Sequence, residues 1–148
     1  MSKTYFTQGI YHPTNKEKYI GTNDPRYLSS WELKFFRWAD NNPNILFWGS
    51  ENVIVPYINP LDGKVHRYFV DNYIVFKDKH GDHKKFLIEI KPSKQVIKPT
   101  ERGNKKKSTI LHEQITWITN QAKWEAAKKW ASKKNCEFII LTEKELGI

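Results

Sequence analysis

A single cysteine, Cys136, stands among 148 residues, so no internal disulfide can form, and no Cys/His set has the spacing of a zinc site. Lying just before "EFIIL", that thiol is expected to be buried in a core. Long apolar runs are missing as well. "MSKTYFTQGIYHPTNKEKY" lacks the hydrophobic stretch of a signal peptide, and no segment could span a bilayer as a helix. A soluble intracellular protein is therefore expected. There is no internal repeat and no sign of a second domain. Aromatic residues, by contrast, make up 14% of the chain, enough bulky material to pack one substantial core.

Acidic residues are scarce relative to basic ones, 16 against 25, and the resulting charge of +9 is unevenly placed. From Lys91 to Lys134 there are twelve Lys/Arg and three acids, Glu101, Glu113 and Glu125, while the remainder of the chain is neutral. Such a stretch reads as the footprint of a polyanion, and nucleic acid is the favoured partner.

The acids that are present include a telling set. Asp71 lies in "RYFVDNYIVF", and Glu89 and Lys91 lie in "KFLIEIKP", 18 positions on. Strand side chains alternate faces, so Glu89 and Lys91 share one face while Ile88 and Ile90 point to the other. Charged residues in strands commonly sit on a solvated face, but these are embedded in apolar runs, where an unpaired charge is costly. Two carboxylates and an amine suit phosphodiester hydrolysis. Carboxylate oxygens hold a hard divalent ion such as Mg²⁺, and the amine can orient the attacking water.

Along the chain, residues 1–28 read as an arm or long loop and residues 29–148 as the main domain. "SSWELKFFRWADNNP" predicts a helix, with Ser29 and Glu32 as a capping box and Trp31, Phe35 and Trp38 on its apolar face. "ILFWGS" and "NVIVPYI" read as strands, and the Asp62-Gly63 pair in "NPLDGK" as a hairpin turn. One strand is expected from about Val65 to Phe76, a turn at "KDKHGD", and a partner strand ending at Pro92. A basic loop precedes a long helix, roughly Thr109 to Lys134, whose buried stripe is expected to be Leu111, Ile115, Ile118, Ala122 and Ala126. A final strand, "CEFIILTE", leads to a short helix capped by Thr142. The order argues for one α/β domain, a mixed central sheet flanked by helices.

With "SSWELKFFRW", "WGSE", "VPY", "RYFVDNYI", "FLIEIKP", "KWEAAKKWA" and "FIILTE" in this order, the chain resembles the PD-(D/E)xK nuclease superfamily. It looks closest to the branch holding the TnsA-type transposon endonuclease subunit and the head-completion nucleases of tailed phages. The resemblance implies a restriction-endonuclease-like core and a metal-dependent DNA endonuclease. It assigns Asp71 and Glu89, with the Ile90 carbonyl, to Mg²⁺, for which Mn²⁺ would substitute, and makes Lys91 the catalytic lysine. Glu32 corresponds to the extra acid of the branch, although its place after Ser29 fits a helix cap equally well. Val70 stands where the superfamily name has proline. The phage likeness further implies work on packaged or terminal DNA during virion assembly, head, portal or neck proteins as partners, and a place in the host cytoplasm or the virion.

Among other basic residues, Lys94, Lys98, Arg102 and the run Lys105, Lys106 and Lys107 are candidates for DNA backbone contacts. Arg67 could hold a phosphate through its forked donors, with His66 and Tyr68 beside it, but exposed hairpin positions are the simpler reading for all three. Lys123 faces either solvent or the site. Trp117, Trp124 and Trp130 read as core. Two other functions fit the same residues: a non-catalytic DNA-binding virion protein, and a transposase-type or structure-specific endonuclease.

Overall fold

The computed structural model describes residues 7–101 and 103–147. Ser29 begins the first long helix, α1 (Ser30–Asn41), by accepting the Glu32 amide hydrogen on its hydroxyl at 3.2 Å. The helix ends at Asn41-Asn42-Pro43, as the sequence predicts. Its buried face is Phe35, Phe36 and Ala39, whereas Trp38 is 47% exposed, so the apolar face is turned from the expected one.

Two short strands precede α1, β1 (Gly9–Ile10) and β2 (Arg26–Tyr27), which pair with each other. The segment between them is not a free arm. Asp40, fully buried, accepts the Tyr11 hydroxyl at 2.5 Å and the amides of Thr14 and Asn15 at 2.8 and 3.0 Å. Tyr11 and Tyr19 pack on Trp48. The backbone of residues 11–19 is thereby laid against α1 and the sheet.

The central sheet has four strands in the order β3-β6-β7-β8. β3 (Ile45–Ser50), β6 (Asn72–Lys77) and β7 (His83–Ile90) form an antiparallel meander, and β8 (Glu137–Leu141) lies parallel to β7. The return to a parallel strand needs a crossover, which α2 (Lys107–Lys133) supplies. This is the helix, meander, helix and strand order of a restriction-endonuclease-like fold. Between β3 and β6 a separate hairpin is inserted, β4 (Ile54–Asn59) and β5 (Lys64–Phe69), turning at Gly63 with φ 69°. The single strand expected from Val65 to Phe76 is thus two, broken at Val70 and Asp71. A short α3 (Glu143–Leu146) follows, with Thr142 and Glu145 in a reciprocal capping box.

Each face of the sheet has its own core. Phe35, Phe36, Trp48, Ile74, Ile88 and Ile90 fill one side under α1. Leu87 on the other side meets Val55, Tyr68 and Val70 of the hairpin region and Trp124, Ala127 and Ala131 of α2. Cys136 is only partly buried at the margin of that second core, not enclosed by it.

The stripe expected on α2 is therefore misplaced. Leu111, Ile115 and Ile118 are 57, 38 and 40% exposed, and Asn120, Trp124, Ala127 and Ala131 face the body instead. Small alanines let the helix lie close to the sheet. At about 100° per residue the expected stripe lies on the side of α2 opposite the buried residues, so the helix is turned by about half a revolution from the expected face. Among the described residues no helix is long and apolar enough to cross a membrane.

Candidate active site

Register brings the catalytic candidates together. Asn72 pairs with Ile88 and Tyr73 with Leu87, so the next step of the ladder sets Asp71 across from Glu89 on the face of Tyr73 and Leu87. The ladder is closed there by a side chain: the Ile90 amide donates to Asp71 Oδ2 at 2.8 Å. The N–H and C=O of one strand residue point to the same edge, so the Ile90 carbonyl is directed towards Asp71. Backbone bonds fix the break itself, from Glu51 N to Asp71 O at 3.0 Å and from Val70 N to Val53 O at 3.1 Å.

Glu89 is 4% exposed and held at both oxygens. The Tyr68 hydroxyl donates to Oε1 at 2.5 Å, and Lys91 Nζ stands 3.4 Å from Oε2. Lys91 keeps 29% of its side chain exposed, at the open edge. The Lys123 ammonium lies 5.6 Å over the Tyr68 ring, which settles its orientation in favour of the site.

Excess negative charge dominates the electrostatics. Burial raises the Asp71 pKa well above the usual carboxylate value; Glu89 and Glu32 add to this, while the Ile90 amide and Lys91 oppose it. Burial also raises Glu32, with Glu51 and Glu89 reinforcing it and the Leu28 amide bond and Lys91 working against it. Tyr68 is pushed far up by burial and by its Glu89 partner, so it remains a hydrogen-bond donor. Only half of the expected capping box forms at Glu32, because its carboxylate takes the Leu28 amide and not that of Ser29. The Glu32 backbone is capped by Ser29, its Oε1 accepts the Leu28 amide at 3.2 Å, and its charge is felt by Asp71.

Among the described residues no three His, Cys, Asp or Glu side chains stand close enough to form a metal cluster by themselves. Mg²⁺ does not require one, since it is commonly held by one or two carboxylates, waters and substrate phosphates. Asp71, Glu89 and the Ile90 carbonyl form such an oxygen-only set, and a cation would relieve the mutual repulsion of the buried acids. The residues fit the ion.

The remaining sequence candidates divide. Lys94, Lys98 and Lys105 line one cleft of about 590 Å³ between the segment after β7 and α2. Lys106 precedes α2 and Lys107 is its first residue. Arg102 lies outside the described residues. Arg67 points away from the site, 5.3 Å from the Phe69 ring, because its neighbour Tyr68 points inward and strand residues alternate. His66 bonds Asp62 at 2.8 Å.

Tyr68 is not an exposed hairpin position, and the sequence conceals this. Val65 and Phe69 are the more apolar alternates of β5, yet they are 70 and 40% exposed, while Tyr68 is 4% exposed. Trp124 is core as expected. Glu51, at φ 52°, closes the "WGSE" run, and its charge helps raise the Glu32 carboxyl.

Residues 42–143 match the family described as TnsA-like endonuclease, N terminal. The chain is also 43% identical over 141 residues to the head completion nuclease of Enterobacteria phage T4, covering 91% of this chain and 90% of that protein.

Proposed function

The chain belongs to the TnsA-like endonuclease family, and we propose that it is a Mg²⁺-dependent DNA endonuclease that acts in head completion during virion assembly. The observation that carries the chemistry is the juxtaposition of Asp71, Glu89 and Lys91 at one strand end, with Glu89 itself pinned by Tyr68.

Asp71, Glu89 and the Ile90 carbonyl would hold the ion. The chemistry a bound Mg²⁺ supplies is polarisation of the scissile phosphate and acidification of a water. Tyr68 fixes Glu89 Oε1, leaving Oε2 turned towards Lys91. The Lys91 ammonium, still partly exposed, orients the nucleophile and balances charge developing on the phosphate. Glu32 adds a third carboxylate at the margin and sets the local field.

DNA reaches this edge over the basic segment that starts at Lys91. Three successive lysines lead into α2, whose first turn has no acidic residue. Cations there are disfavoured by the helix dipole, an arrangement that a phosphate backbone would offset. Incubation of the purified protein with supercoiled and linear DNA, with and without Mg²⁺, tests the reading. Nicks or breaks that need the ion are expected; DNA left intact under every condition would refute it.

A further inference from the structure

The cleft of about 590 Å³ is more than a basic surface. Its volume is in the range of about 300–1,000 Å³ typical of ligand sites. Asn120 lines it, is only 6% exposed, and its side-chain amide makes no hydrogen bond with any described residue. Its polar atoms open onto the cleft and offer a donor and an acceptor to whatever enters. Trp117 lines the same cleft without a ring contact of its own among the described residues. Lys105 is occupied, donating to Glu113 at 2.9 Å and to the Thr100 carbonyl at 3.1 Å, and so clips the loop to α2. Lys94 and Lys98 have no ion-pair partner among the described residues, which leaves the cleft with free positive charge.

Its position is equally specific. Lys94 is three residues beyond Lys91. Asn120 lies one turn of α2 before Lys123 and Trp124, and Lys123 covers the Tyr68 ring whose hydroxyl holds Glu89. The cleft and the candidate catalytic pair are therefore linked through neighbouring positions on the same two stretches of chain.

We propose that this cleft receives one unpaired nucleotide of the DNA substrate, which makes DNA with a frayed or single-stranded end the favoured substrate class. The inference rests on the endonuclease reading above. Asn120 hydrogen-bonds the edge of the base, Trp117 stacks on its face, and Lys94 and Lys98 meet the flanking phosphates. A base in an intact duplex cannot present itself in this way without leaving its stack, whereas an unpaired end can.

The test compares fluorescently labelled blunt duplex with the same duplex carrying a short unpaired tail, measured by anisotropy in chelator so that nothing is cut. Wild-type protein is expected to bind the tailed duplex roughly tenfold more tightly, the scale of one stacked base. Trp117→Ala and the similarly branched Asn120→Leu should each bring the tailed duplex down to the blunt level and leave blunt binding unchanged. Excess deoxynucleoside monophosphate should compete away only the extra affinity of the tail. Equal wild-type affinity for both duplexes, or a tail preference that survives Trp117→Ala, overturns the proposal. So does mononucleotide binding without any tail preference, which would assign the cleft to a free nucleotide. If Asn120→Leu does not fold, by circular dichroism, the partly exposed Trp117 decides alone. Ion-dependent cleavage without tail preference rejects this proposal only; failure to bind or cut either duplex rejects the endonuclease reading with it.

Discussion

Tyr68 on β5 donates its hydroxyl to Oε1 of Glu89 on β7 across 2.5 Å, so the inserted hairpin reaches the centre of the site through one side chain. A partner that orients a ligand is commonly worth 10–100-fold in activity. Tyr68→Phe keeps the ring packed and removes only the donor. Cleavage is expected to fall by about that factor with DNA affinity unchanged. An unaltered turnover rate would mean that Glu89 needs no such positioning.

Asp71→Ala, Glu89→Ala and Lys91→Ala should each reduce cleavage by at least ~100-fold, since each removes part of one charge-stabilising unit. Binding of DNA should survive in all three. For Glu32, Gln is the more telling replacement, because it retains an oxygen for the Leu28 amide while losing the charge. Lost cleavage at an unchanged Tm identifies an active-site acid; full cleavage leaves Glu32 as a helix cap alone.

Crowded carboxylates also make a thermal prediction. An acid whose pKa is raised by folding destabilises the fold as pH climbs from its unfolded value through its folded one. Asp71→Asn should therefore raise Tm at neutral pH in chelator. Mg²⁺ should stabilise the wild type, by about 2.7 kcal/mol at a concentration 100 times its Kd, and stabilise Asp71→Asn much less. Differential scanning calorimetry with and without the ion measures both; a wild-type Tm indifferent to Mg²⁺ counts against the metal site.

Asp40 shows the opposite sign. Burial alone would raise its pKa, but the Tyr11 hydroxyl and the amides of Thr14 and Asn15 outweigh it and hold the carboxyl below its usual value. Its stabilisation is thus fully present above the unfolded pKa of about 3.9 and is lost as pH falls through the lower folded value. Asp40→Ala leaves several donors unmatched and should cost roughly 3 kcal/mol. A denaturation midpoint equal to wild type would show that the N-terminal segment is held by other contacts.

These residues also show what could be read in the chain beforehand. The Asp71, Glu89 and Lys91 set was legible because alternation along β7 and the short β6–β7 turn determine which side chains meet. The helix ends were legible at Ser29, Pro43 and Thr142 for the same reason, that caps and turns are local. Asp40 was hidden, since its partners lie 25 to 29 residues away and nothing local marks a buried aspartate as satisfied. The α2 stripe failed on the choice of face: Leu111, Ile115 and Ile118 have the right spacing, but they lie on the side of the helix opposite Asn120, Trp124, Ala127 and Ala131, whose polar and small members hide the buried face. Tyr68 failed because the apolar alternates of β5 face outward.

The last prediction concerns Lys105, Lys106 and Lys107. Each phosphate contact contributes about 0.9 to the slope of log affinity against log salt on duplex DNA. Lys105 is already engaged by Glu113 and Thr100, whereas Lys106 and Lys107 at the start of α2 have no ion-pair partner among the described residues. Replacing all three with Gln should therefore flatten the slope by about 1.8, the value for two contacts rather than three. Lys105→Gln alone should barely change the slope, but it should loosen the 99–105 segment, which limited proteolysis would detect. Affinity should fall about equally for all sequences, because phosphate contacts carry no base information. Cleavage of DNA already bound should change little, since these lysines position the duplex and do not touch Glu89 or Lys91. A triple variant that binds like wild type at every salt concentration would move the DNA path to Lys128, Lys129 and Lys133, farther along α2.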